Sequence, residues 1–152
     1  MRVAKEFPDV QFALVGAWKD DAIDYLRSIA SPNVLFTDRV SDEELLDYYR
    51  RALVYVQASL HEGFGLSVAE AMLAGCIPVV TPNGSLPEVV GECGVYARSP
   101  DLYDLAEAIS TALRASADLR LSARNRILME FPLERRQKAL LGLASDLIGK
   151  AL

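Results

Sequence analysis

The sequence predicts an α/β fold in which a parallel sheet is covered by helices on both faces. Two observations carry that prediction. Short β-rich apolar runs alternate with segments of helical period along the chain, and each run gives way to a glycine-, proline- or serine-bearing loop before the next helix. At 152 residues the chain fits one domain, long enough to bury about 70% of its unfolded surface without a disulfide or metal staple.

The elements follow in order. The opening "MRVAKEF" reads as the end of a helix feeding the first buried strand, "VQFALVG" at residues 10–16. A helix then runs to about Ile29, and "NVLF" (33–36) is the second strand. Ser41 and Glu44 form a capping box, each satisfying an orphan amide of a helix that reaches about Ala52. "LVYVQA" (53–58) reads as a central strand, followed by "HEGFGLSVAEAM" (61–72) and a helix that stops at Gly75, where glycine takes the left-handed position cheaply. "IPVVT" (77–81), the loop "PNGS", a short helix at Pro87 and the strand "CGVYA" (93–97) come next.

Ser99 and Pro100 open a helix whose Leu102, Leu105, Ala106, Ile109 and Leu113 fall on one covering stripe. Two more helices complete the chain, the last with a similar stripe of Leu140, Ala144, Leu147 and Ile148. Because a helix normally follows a strand in this architecture, the opening segment implies a sheet lacking its first strand.

Bulk composition narrows the function classes. Apolar residues make up 51% and charged residues 24%, as in a soluble globular protein. Neither a membrane-length apolar run nor the h-region of a signal peptide is found, so a cytoplasmic location is expected. The net charge of -5 argues against a nucleic-acid partner, whose phosphates call for surplus Lys and Arg. The local exception, a basic stretch from Arg120 to Lys138, reads as a solvated helix face. Cys76 and Cys93 have neither CxxC nor zinc-knuckle spacing and read as buried reduced thiols, and no cluster of metal ligands stands out.

The chemistry concentrates at "HEGFGLSVAEAM". Glycines 63 and 65 allow close backbone approach, and the helix behind them offers unpaired amides and a positive dipole end to an anion such as a diphosphate. Glu62 and Glu70 flank that turn and are acceptors only, suited to hydroxyls on either side of a diphosphate. Two alternatives stay open. Ser67 and Glu70 also satisfy the S-x-x-E pattern of a capping box, and Glu62 also reads as a solvated loop charge. His61, the sole histidine, is a weaker candidate for substrate contact.

"EGFGLSVAEAMLAGCIPVV" resembles the Glu-x7-Glu signature of retaining GT-B glycosyltransferases of the family-4 type. Flanking segments from about residue 10 to 145 are similar to the same family, including "NVLFTDRVSDEELLDYYRRALVYVQAS" and "TPNGSLPEVVGECGVYARSPDLYDLAEAI". The resemblance implies a Rossmann-like domain, residues 1–152, that is the donor-binding half of a GT-B fold. It implies that Glu62 is catalytic, contacting the donor sugar's hydroxyls, and that Glu70 accepts from the ribose.

By the same resemblance the amides of Gly63, Phe64, Gly65 and Leu66 meet the diphosphate or sugar, and the nucleobase lies by Arg39 and Val40. The implied substrate is a nucleotide-diphosphate sugar, with no cofactor and no metal. The implied partner is an N-terminal acceptor domain or subunit, and without it the chain is expected to be inactive. Membrane association of the full enzyme is left open. A non-catalytic nucleotide-sugar-binding subunit of a split transferase, or a nucleotide-sugar hydrolase or epimerase, is the alternative. The chain departs from the family pattern at Asp38, where glycine is common, and at Ala58, where proline is common. The family's Arg-Lys pair that neutralises the diphosphate, and its acceptor domain, are not found in these residues.

Overall fold

The computed structural model describes residues 2–17 and 22–149. A short 3-10 helix, Arg2–Glu6, leads into β1 (Phe12–Leu14), α1 (Ala22–Ile29), β2 (Val34–Phe36) and α2 (Asp42–Arg51). β3 (Val54–Gln57), α3 (Leu66–Leu73), β4 (Ile77–Val80), α4 (Leu86–Val90) and β5 (Val95–Tyr96) follow. Three helices, α5 (Leu102–Leu113), α6 (Ala117–Glu130) and α7 (Leu133–Gly149), close the chain. The expected alternation is therefore present, and all described strand pairs are parallel.

The ladders divide in two. β1 pairs with β2, and β3, β4 and β5 form a second sheet in that order. The run at 53–58, read as a central strand, is thus an edge of its sheet, and β4 holds the centre. Burial explains the exchange: Ile77, Val79 and Val80 of β4 are sealed completely, whereas Val56 of β3 is 38% exposed. A strand covered on both faces and paired on both edges can be apolar throughout, as Ile-Pro-Val-Val is.

Alternation along β4 builds a core on each face. Ile77 and Val79 point to a cluster with Ala108, Ile109 and Ala112 of α5. Val80 faces the other side, joining Val68, Ala69 and Met72 of α3, Leu86, Val89 and Val90 of α4, and Ala123 and Ile127 of α6. The stripe expected on α5 is rotated slightly, for Leu102 is exposed while Ala108 and Ala112 are buried. That helix starts later than expected, with Asp101 as its cap accepting the Asp104 amide at 3.0 Å. The Ser41–Glu44 capping box forms as expected, the Ser41 amide donating to Glu44 Oε2 at 2.8 Å and holding that carboxyl below its usual pKa.

Two further expectations change. On α7 the described members of the stripe, Leu140 and Ala144, are exposed, as are the neighbouring Leu141 and Leu143, and the side chains of Leu147 and Ile148 lie outside the described residues. The basic stretch is more than a solvated face. Arg120 Nε donates to the Gly75 carbonyl at 2.7 Å, Arg124 to the Leu73 carbonyl, and Arg126 to the carbonyls of Val89 at 2.8 Å and Glu88 at 2.6 Å. These carbonyls lie at or near the C-terminal ends of α3 and α4, where acceptors lack helical partners and the dipole favours a cation. α6 thereby clamps both helices that adjoin the glycine turn.

Candidate functional site

The turn at 61–65 runs from β3 to α3. Gly65 is the N-cap of α3 at φ +83°, a left-handed conformation that glycine adopts without cost. The Ala69 amide closes the first helical turn onto the Gly65 carbonyl at 3.0 Å. The amides of residues 66–68 ahead of it are those that a helix start leaves without a helical acceptor. This placement settles the open reading of Glu70. A capping box requires the serine at the N-cap and the glutamate three residues on, but Ser67 is the second residue inside α3 and Glu70 the fifth. Glu70 serves no capping role there.

Glu70 instead receives the Tyr49 hydroxyl from α2, at 3.4 Å. Glu62 is half-buried and held at both oxygens. Gln57 Nε2, from the end of β3, donates to its Oε2 at 2.8 Å, and the Gly63 amide donates to its Oε1 at 3.1 Å. The Gly63 amide, expected to face a ligand, is therefore occupied by the neighbouring carboxylate; the short bend of the turn brings that side chain back over it. The solvated-charge reading of Glu62 does not describe these contacts.

A second loop supports the turn. Ser59 O accepts from Thr81 Oγ1 at 2.7 Å and from Asn83 Nδ2 at 3.1 Å, which ties the loop after β3 to the loop after β4. The Ser85 amide approaches Glu62 O at 3.5 Å, and the Ser85 hydroxyl is buried with no hydrogen-bond partner among the described residues. Gly84, at φ +59°, lies directly against the Glu62 backbone.

Beneath the turn is a cluster of polar aromatics that sequence reading missed. Tyr55 and Tyr49 meet edge-on with ring centroids 5.8 Å apart. Burial raises the pKa of both phenols, and nearby carboxylates, Glu62 and Glu70 for Tyr55 and Glu70 for Tyr49, act in the same direction. Both therefore remain protonated donors at neutral pH. The Ser67 side chain, in the first turn of α3, acts against that rise in both. The only available signal in the sequence was the alternation that puts Tyr55 and Gln57 on one face of β3.

The other expected residues are placed as follows. Phe64 is 44% exposed and packs edge-on against Phe131, between α6 and α7, at 5.6 Å. Leu66 and His61 are exposed. Arg39 and Val40 lie in the loop from β2 to α2, Arg39 exposed and Val40 half-buried. Among the described residues no group of three or more His, Cys, Asp or Glu side chains is arranged to share a metal ion, and no helix is long and apolar enough to cross a membrane. Cys76 is buried and free, its thiol facing the Tyr49 carbonyl at 3.1 Å near the end of α2, while Cys93 is free and half-buried.

Known proteins share this fold. The family described as Glycosyl transferases group 1 matches residues 1–115. The chain belongs to the group 1 glycosyl transferases. Among group 1 relatives and neighbours in fold, O-antigen chain mannosyltransferase B of Escherichia coli is 38% identical over 100 residues, covering 64% of this chain and 26% of that protein. Sucrose-phosphate synthase from Thermosynechococcus elongatus superposes with a TM-score of 0.84 at 25% identity, over 98% of this chain and 41% of that one. Anabaena HepE, solved in complex with UDP-glucose, superposes with a TM-score of 0.80 at 21% identity, over 95% and 43% respectively. This group 1 chain thus spans about a quarter of the mannosyltransferase and two fifths of the two solved chains. The sequence expectation of one half of a GT-B fold agrees with those superpositions.

Proposed function

We propose that these residues form the donor-binding half of a retaining glycosyltransferase, which moves a hexose from a nucleotide-diphosphate sugar to an acceptor. One observation carries the reading: Glu62 and Glu70 sit on either side of the start of α3, Glu62 held by Gln57 and Glu70 by Tyr49, rather than spent on capping. In this reading the amides of residues 64–66 and the dipole of α3 hold the diphosphate, an interaction of up to about 2 kcal/mol in partly buried geometry. The same amides stabilise charge that develops on the leaving diphosphate as the glycosidic bond to it breaks. Glu62 accepts from hydroxyls of the donor sugar and is the catalytic carboxylate. Glu70 accepts from the ribose, and the base lies towards Arg39 and Val40.

Each carboxylate oxygen has room for more than one donor. The two oxygens of Glu62 each take one from the protein, which leaves acceptor capacity for ligand hydroxyls. The acceptor substrate would bind on a partner half, an N-terminal domain or a subunit, and these residues alone are expected to transfer nothing. Calorimetric titration with UDP-glucose, GDP-mannose and ADP-glucose tests the donor assignment. UDP-glucose goes first because Anabaena HepE was solved with it. Binding of one of them, lost in Glu62→Ala, is the expected result; no binding of any nucleotide sugar or nucleotide diphosphate contradicts the reading.

A further inference from the structure

Glu62 has a partner that nothing in the glycine turn itself supplies. Gln57 closes β3, on the same face as Tyr55, and its amide is fully committed. Its Oε1 accepts the Tyr55 hydroxyl at 2.9 Å, while Nε2 donates to Ser59 Oγ at 2.9 Å and to Glu62 Oε2 at 2.8 Å. That set of partners fixes which way the amide faces. A flipped amide would set its carbonyl oxygen against the Glu62 carboxylate, acceptor against acceptor.

We infer that Gln57 is a positioning residue for Glu62, setting the angle at which that carboxylate meets the donor sugar, and that Tyr55 holds Gln57 in the required orientation. The inference rests on the donor-binding reading given above. It adds a residue outside the Glu-x7-Glu pattern, one whose side chain acts through another and touches no reacting atom.

The argument turns on freedom of rotation. A glutamate has three side-chain torsions, and one amide contact at Oε1, made by the adjacent residue, leaves the carboxylate able to swing about the turn. The second contact, from a strand end held by the sheet, converts that swing into one orientation. The hydrogen bond is charge-assisted, and so stronger than a neutral one. It also spends only one acceptor position of Oε2, so the oxygen remains available to a hydroxyl. Continuity with Glu70 follows through the two phenol rings: Tyr55 lies edge-on to Tyr49, whose hydroxyl donates to Glu70. The two carboxylates are thus braced on one cluster.

Gln57→Leu keeps the bulk of the side chain and removes the donor; Gln57→Glu keeps the shape and places a second carboxylate beside the first. Affinities for UDP and UDP-glucose, and for GDP and GDP-mannose, are measured by calorimetry on wild type, both variants and Tyr55→Phe. The expected result is that each Gln57 variant loses about tenfold in affinity for the nucleotide sugar while the free nucleotide diphosphate binds as before. Tyr55→Phe is expected to show a smaller loss of the same kind. Equal loss for sugar and free nucleotide, or no loss for either, overturns the inference.

A second measurement does not depend on any donor. In wild-type NMR spectra the Gln57 side-chain amide should show one proton shifted downfield by its carboxylate acceptor, and Glu62→Ala should abolish that shift. A Gln57 amide unmoved by Glu62→Ala overturns the positioning role. Failure of wild type to bind any nucleotide, with the NMR shift present, counts against the donor-binding reading alone.

Discussion

A Cβ on Gly84 would stand 2.5 Å from the carbonyl oxygen of Glu62 and 3.0 Å from its amide nitrogen. The loop after β4 therefore supports the backbone of the candidate catalytic residue directly, and the support depends on a side chain being absent. Gly84 also sits at φ +59°, where an L-residue costs about 1–2 kcal/mol. Gly84→Ala is expected to destabilise by about 2–4 kcal/mol, combining that strain with overpacking. Because the displaced atoms belong to Glu62, nucleotide-sugar affinity should fall in the same variant. Urea unfolding together with calorimetry checks both, and wild-type values in the two measurements would contradict the contact.

Arg126 ties α6 to the end of α4, with Nε and Nη2 on two successive carbonyls. Its guanidinium also fills the space over Gly91, where a Cβ would come within 2.5 Å of Cζ. Arg126→Ala is expected to cost about 2 kcal/mol, the scale of charge-assisted hydrogen bonds, which lowers Tm by roughly 4–8 °C for a chain of this size. Arg126→Lys should recover only part, since an ammonium lacks the planar fork that meets both carbonyls. Differential scanning calorimetry of the two variants makes the comparison; equal Tm values for Lys and Arg would count against the fork.

Glu70 is the fifth residue of α3 and caps nothing. Glu70→Ala should leave helical circular dichroism unchanged and should weaken nucleotide binding by about tenfold, the loss expected for a charge-assisted hydrogen bond to a ribose hydroxyl. A drop in helicity with binding retained would return Glu70 to a structural role.

Burial raises the Cys76 thiol to about 11, opposed in part by Arg120. Since its ordinary value is 9.0, the unfolded chain gives up this proton first as pH rises. Between pH 9 and 11 the folded state then binds more protons than the unfolded state, and stability falls with increasing pH. Below pH 9 the thiol contributes no slope. Tyr49, Tyr55 and Tyr96, all raised chiefly by burial, add a loss of the same sign above pH 10. Denaturant midpoints from pH 7 to 10 should stay flat and then decline, and Cys76→Ala should delay the onset. The native thiol should also resist a disulfide reagent at pH 8 and react once the chain unfolds.

Much of the fold was legible because its signals are local. The capping box joins Ser41 and Glu44 across three residues, and the strand at Ile77–Val80 declares itself by an unbroken apolar run. The glycine turn and its flanking glutamates were legible for the same reason. Their roles were only partly so: S-x-x-E fits a capping box until the start of α3 is known, and a two-residue difference in helix boundary, Gly65 rather than Ser67 at the N-cap, decides the matter.

What the sequence by itself determined is the order and type of the elements and the position of the turn with two acids, since periodicity, caps and turn residues act within a few positions along the chain. Tertiary structure alone decided which strand is central, which arginines clamp helix ends, and which groups hold Glu62. Arg124 finds the Leu73 carbonyl 51 positions away, and Gly84 meets Glu62 from a different loop. Such contacts leave no local pattern to read, because the partner of a buried polar group is chosen by which segments the packed core brings within hydrogen-bond reach.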